Sequence, residues 1–180
     1  MNWNELRRIV TEDRGGRSRI MIDGEPARTI GAESAGLAEI WEAGLAARQL
    51  LAGADRLKDE DLRLEPRPDA VKVRWFTVPP EKADADPEAK EAQAEAAFAA
   101  VGAAHVRVDV ARHPMMHKTD TLDAIIMIKG EVDLLLDDGE AKSLKPGDVV
   151  IQRATNHAWV NRGQETALLV AVLMGGTRNP

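Results

Sequence analysis

Over most of its second half the chain alternates apolar and polar positions with a period of two. From His105 onward, "HVRVDV", "LDAIIMIKG", "EVDLLLDDG", "EAKSLKPGD", "VVIQ", "HAWVNRG" and "TALLVAVLM" follow one another as short runs separated by Gly- or Asp-containing turns. A period of two puts alternate side chains on one face of a strand, so each run predicts a half-buried strand and the series predicts serial hairpins. Hairpins in such a series, each with one apolar face, close into an antiparallel sandwich or barrel. The mouth of such a barrel is a place for a small ligand.

The first half is less regular. Residues 7–30, "RRIVTEDRGGRSRIMIDGEPARTI", set β-branched runs between Gly-Gly and Asp-Gly turns and predict an N-terminal β-hairpin arm. Residues 34–64 change to Ala, Leu, Glu and Arg, with Leu37, Ile40, Trp41, Leu45 and Leu50 as recurrent apolar positions, and this pattern predicts a helix interrupted by Gly36, Gly44 and Gly53. "AVKVRWFTVPP" alternates as a strand and stops at a Pro pair. The acidic, Ala-rich residues 81–104 read as a solvated helix or mobile excursion, with a lid over a pocket as the functional alternative. The predicted organisation is one structural domain: an N-terminal arm, helical excursion and leading strands over 1–104, and a barrel core over 105–180.

Composition narrows the partners. A chain of 180 residues with 44% hydrophobic positions can bury a core of its own. A net charge of −6 without a basic stripe argues against nucleic acid and anionic membrane. There is no cysteine, which removes disulfides, thiolate ligands and a thiol nucleophile. The opening "MNWNELRRIVTEDRGG" has no apolar signal core and no long apolar run follows, so the expectation is a cytoplasmic protein.

Six side chains draw attention as chemistry. His117 and His157 are either hydrogen-bonded core histidines or ligands, while His113, beside a proline, reads as a rim or turn residue. Asp123 lies inside a strand-like run, where a carboxylate is costly unless paired, so a functional role is favoured. Trp159 shares a face with His157 by strand alternation and either lines a pocket or packs in the core. Arg153 offers a guanidinium fork for a ligand carboxylate, or a surface salt bridge.

The segment from about Arg112 to Met174 resembles the small single-domain cupins, an all-β family with a double-stranded β-helix, or jelly-roll, barrel. Their first motif runs His-x-His, then a Glu, then a closing Gly; here His117, Thr119, Asp123 and Gly130 take those places, with Thr119 where the second His stands. Their second motif runs from a Gly-Asp turn to His-x-x-x-Asn, matched by Gly147-Asp148, His157 and Asn161.

The resemblance implies a divalent metal on inward-facing strand positions, held here by His117, His157 and Asp123. That donor set suits iron and also permits zinc, manganese or nickel. It further implies a small oxygenated ligand, carboxylate or carbonyl, in the barrel. The implied activity is a metal-assisted lyase, isomerase or dioxygenase in which Asp123 moves a proton and Thr119 orients a water. The alternative is a metal-free, non-catalytic sensor-type cupin. A homodimer, with the N-terminal arm added to a neighbouring sheet, is implied as well. The chain has no Tyr, which counts against epimerases that pair a His base with a Tyr acid, and no Cys, which excludes a thioether-crosslinked thiol dioxygenase site.

Overall fold

The strands announced by the alternating runs form in a computed structural model that describes residues 2–45, 57, 62–82 and 84–176. In chain order they are β1 (Arg8–Asp13), β2 (Ser18–Gly24), β3 (Arg28–Ala32), β4 (Ala35–Gly44), β5 (Ala70–Val78), β6 (Thr121–Lys129), β7 (Val132–Leu136), β8 (Lys142–Leu144), β9 (Val149–Arg153), β10 (His157–Val160) and β11 (Ala167–Gly175). One helix, α1 (Pro87–Ala100), stands between β5 and β6. The protein is an all-β barrel of two facing sheets. A six-stranded sheet has the order β3-β4-β5-β11-β6-β9 and a three-stranded sheet the order β10-β7-β8. The β1–β2 hairpin is a separate two-stranded sheet, with Ile9 and Ile20 exposed.

Two readings of the pattern are corrected. Residues 35–44 are a strand rather than the start of a helix, and the remainder of that expected helix falls on 46–61, outside the described residues apart from Leu57. The three- and four-residue spacing arises from a β-bulge between Glu39 and Trp41. One inserted residue brings Glu39 and Glu42, three apart, onto one face of a strand. "HVRVDV" is no strand either: Ala104–Val106 is a 3-10 turn whose Val106 is buried while Val108 is exposed.

The expected helix in the Ala-rich stretch does form. Asp86 caps it by accepting from the Ala89 amide at 3.1 Å, and Pro87 opens the first turn. Its buried Phe98 joins Val101, Ala103 and Val106, with Leu37 and Leu64 packed against them, so α1 closes over β4.

Register fixes which side chains look inward. On the six-stranded sheet Met127, Leu169, Phe76 and Leu37 align across β6, β11, β5 and β4 as an apolar row. Met127 and Leu169 belong to a cluster with Ile125, Val132, Ala171 and Leu173, against which Leu144 and Trp159 of the other sheet pack. This is where the two sheets meet. The turn after β6 needs Gly130: its φ is +79°, and a Cβ there would stand 3.0 Å from the Ala167 Cα. The "LKPGD" turn docks on the same strand through Gly147 N to Met127 O and Met127 N to Asp148 O, both 3.0 Å. Buried Asn161 is structural too, its amide donating to the carbonyls of Val78 and Glu165 at 2.9 and 2.7 Å.

Candidate functional site

His117, Thr119, Thr121 and Asp123 alternate onto the inner face, and together they cross from one sheet to the other. His117 pairs with His157 in an isolated bridge, with amide-to-carbonyl distances of 2.9 Å in both directions. Asp123 instead pairs with Gln152 of β9 in the six-stranded sheet. Between them Thr119 Oγ1 and Thr121 Oγ1 are 2.7 Å apart, both buried.

The two imidazole rings lie tilted against each other in a small cluster of rings. Their ring centroids are 4.2 Å apart, Phe98 lies 5.0 Å from His117, and Trp159 lies 5.4 Å from His157. Each Nδ1 is hydrogen-bonded to a backbone carbonyl, Met115 at 3.0 Å and Thr155 at 2.9 Å, which assigns the proton to Nδ1 and leaves Nε2 as an acceptor. Dehydration lowers the pKa of both. For His157 dehydration and the neighbouring His117 bring it down to about 3, so the pair is neutral at physiological pH. Asp123 moves the other way. Burial raises its carboxyl to about 6, against the opposing pull of the Thr121 hydroxyl and Arg74, and its Oδ1 has no hydrogen-bond partner.

Beyond Asp123 the inner face carries charges that the alternation pattern did not single out. Glu42 and Lys72 are cross-strand partners, as are Glu39 and Arg74, and all four are buried. Lys72 Nζ contacts Glu42 at 2.9 Å, and Arg74 Nη2 contacts Glu39 at 3.2 Å. Their signal was present as two Glu in one strand and two cations in the next. It was masked because β4 read as helix and because the alternation of β5 does not say which of its faces, valines or cations, turns inward.

A groove of about 350 Å³ is lined by Leu134, Leu136, Val150, Ile151, Gln152, Arg153 and Thr155. Leu136 is the cross-strand partner of His157, and Gln152 that of Asp123, so the groove opens between the two arms of the site. Arg153 is exposed and stands at the groove rather than inside the barrel. Trp159 faces inward beside His157. His113 sits at the rim, its Nε2 3.0 Å from Glu81 Oε1.

The structure joins the two histidines but not the three expected ligands. A histidine with Nδ1–H on a carbonyl and Nε2 open is held as metal-bound imidazoles are held. Asp123, however, is engaged with Thr121 and Arg74 on the far sheet. Among the described residues no group of three or more His, Cys, Asp and Glu is arranged to hold a metal ion. The set of His117, Asp123 and His157 therefore does not fit a metal as placed.

No family model matches the chain. Its sequence is similar to phomopsin biosynthesis cluster protein C' of Diaporthe leptostromiformis, 52% identical over 48 residues, 27% of this chain and 25% of that protein. A cupin-domain-containing oxidoreductase of Neurospora crassa, srdD, is 46% identical over 46 residues, 26% of this chain and 24% of its own length. The matches thus span about a quarter of the curated relatives. Among solved structures, the polyketide cyclase RemF of Streptomyces resistomycificus aligns over 100% of this chain and 80% of its own, at 14% identity and a TM-score of 0.44. A Cupin 2 conserved barrel domain protein of Salinispora arenicola aligns over 58% of this chain and 62% of its own, at 18% identity and a TM-score of 0.36. Among the described residues no helix is long and apolar enough to cross a membrane. With its two facing antiparallel sheets, two half-motifs that bring His117 against His157, and local identity to cupin-domain proteins, the chain has a cupin-type barrel and resembles the small cupins.

Proposed function

We propose that this cupin-type barrel binds a small carbonyl- or carboxylate-bearing molecule between its sheets and moves a proton on it, with Asp123 as the acid-base group. The supporting observation is the position of Asp123: buried, with Oδ1 unpartnered, and the cross-strand partner of Gln152, which lines the groove. A carboxyl held at about 6 takes and returns protons near neutral pH, which suits a general base that must also act as an acid. Thr119 and Thr121 fix the approach to it. The neutral imidazoles of His117 and His157 present acceptor nitrogens to a ligand hydroxyl, and Trp159 forms the wall. Arg153 at the groove is placed to meet an anionic group as it enters.

Abstraction of a proton next to a carbonyl is a step shared by lyases and isomerases, and it can be read without knowing the natural substrate. In deuterated buffer, α-proton signals of pyruvate, acetoacetate and oxaloacetate are followed by NMR with the wild type and Asp123→Asn. The expected result is exchange above the buffer rate for at least one compound, reduced about a hundredfold or more in Asp123→Asn. Exchange at the buffer rate for all three, or equal exchange in the variant, overturns the assignment.

A further inference from the structure

We propose that the charged end of the barrel is a ligand subsite for small polyhydroxylated carboxylates, with Arg74 as the carboxylate anchor. This rests on the binding reading above and names the class of molecule bound. The two buried ion pairs on β4 and β5 are not equivalent. Lys72 Nζ contacts Glu42 at 2.9 Å and donates to the carbonyls of Arg63 and Glu65 at 3.0 and 3.5 Å, so its donors are occupied. Arg74 places only Nη2, on the carbonyls of Leu64 and Arg63 at 2.5 and 3.3 Å, while Nε and Nη1 have no hydrogen-bond partner. Glu39, its ion-pair partner, has neither oxygen in a hydrogen bond. Two more inward acceptors, Asp123 Oδ1 and Gln152 Oε1, are also without partners.

Arg74, Glu39, Asp123 and Gln152 are each at most 3% exposed, and an unmet polar atom at that depth is costly unless something polar fills the gap. The unmet atoms specify what that something carries. Arg74 Nε and Nη1 are donors on a permanent cation and call for anionic oxygens. The Glu39, Asp123 and Gln152 oxygens are acceptors and call for hydroxyl or amine hydrogens. A plain fatty acid brings no donors, and a neutral sugar brings no partner for the guanidinium. A phosphate monoester dianion brings anionic oxygens but no hydrogens for the Glu39, Asp123 and Gln152 acceptors. A molecule with one carboxylate and several hydroxyls satisfies both sets, and Gln152, one of the four residues, also lines the groove.

The test compares D-gluconate, D-glucuronate and L-tartrate with D-glucose and hexanoate, each up to about 10 mM, by isothermal titration and ligand-observed NMR. At least one hydroxy acid is expected to bind at least tenfold more tightly than glucose and hexanoate. Because Arg74→Met alone leaves Glu39 buried without its cation, the variant is the pair Arg74→Met with Glu39→Leu, and Gln152→Leu is measured beside it. The pair is expected to lose at least tenfold in hydroxy-acid affinity while melting cooperatively. Gln152→Leu, which leaves the ion pair intact, is expected to lose affinity as well. Equal binding of glucose or hexanoate, no binding of any hydroxy acid, or undiminished binding in both variants overturns the proposal. Deuterium exchange that depends on Asp123 but not on Arg74 leaves the proton-transfer reading standing and removes only the carboxylate anchor.

Discussion

The barrel interior has two ends built on the same strands. At one end Met127, Leu169, Phe76 and Leu37 line up across four strands, and every group finds its partner by contact. Four to five residues along those strands, the row becomes Gln152, Asp123, Leu173, Lys72 and Glu42, with Arg74 and Glu39 between the rows. The apolar end is stabilised by removal of surface from water. At the polar end several buried atoms lack hydrogen-bond partners, which costs about 1–3 kcal/mol for each such group. Folding alone does not require that cost, since hydrophobic residues of similar volume would fill the space. The apolar end holds the sheets together, and the proposed ligand would meet the unpartnered atoms of the polar end.

Changes at the two ends should therefore behave differently. Glu39→Ala strands the Arg74 cation at full burial and is expected to cost about 3–5 kcal/mol in urea unfolding. Leu169→Ala, a cavity in the apolar row, is expected to cost a similar about 2–5 kcal/mol. The ends separate when the partner is removed as well. Replacing Glu39 by Leu together with Arg74 by Met should recover most of the loss, or exceed wild-type stability by about 1–4 kcal/mol, because no unpaired charge remains. If the double variant is as unstable as Glu39→Ala, the ion pair is a structural strut and the contrast between the ends is lost.

Asp123 makes the contrast depend on pH. Its folded pKa, about 6, lies above its ordinary value, so the fold favours the protonated carboxyl. That contribution is complete below the unfolded pKa and disappears as pH rises through about 6. At pH 8 the ionised group costs the fold about 3 kcal/mol, and Asp123→Asn should return it. At pH 4 the substitution should change little. Urea melts at both pH values measure this, and a variant less stable than wild type at pH 8 contradicts burial as the cause.

Much of the architecture was legible from period-two alternation, because β6, β7, β9, β10 and β11 each carry an apolar face backed by a turn residue. The half-motifs also found His117 and His157, which do meet. What the pattern hid was the inversion on β5, where Lys72 and Arg74 face inward and Val71 and Val73 do not. Hydrophobic alternation says that two faces differ, not which one the barrel encloses. The bulge in β4 hid its partner, since one inserted residue turns a strand's spacing into something close to a helix's. Asp123 was recognised as costly, but its companions were not. Spacing along β6 could not show that Asp123 stands opposite Gln152 of β9.

The smallest expected effect tests the bridge between the histidine pair and Asp123. Thr119 and Thr121 share a hydrogen bond of 2.7 Å inside the barrel, and the Thr121 hydroxyl favours the charged form of Asp123. A hydroxyl that accepts one hydrogen bond donates a stronger one, so Thr119 acts on Asp123 through Thr121. Thr119→Val keeps the shape and removes that link. It should cost about 1 kcal/mol of stability, since the Thr121 hydroxyl loses its buried partner. Asp123, deprived of part of the interaction that favours its anion, should titrate about a few tenths of a pH unit higher. Carboxyl-carbon NMR titration of Asp123 in the wild type, Thr119→Val and Thr121→Val reads this directly. Thr121→Val should give the larger rise because it removes the adjacent hydroxyl itself. An Asp123 curve that moves in Thr121→Val but not in Thr119→Val confines the tuning to one neighbour, and Thr119 is then a packing residue on the path between the two sheets.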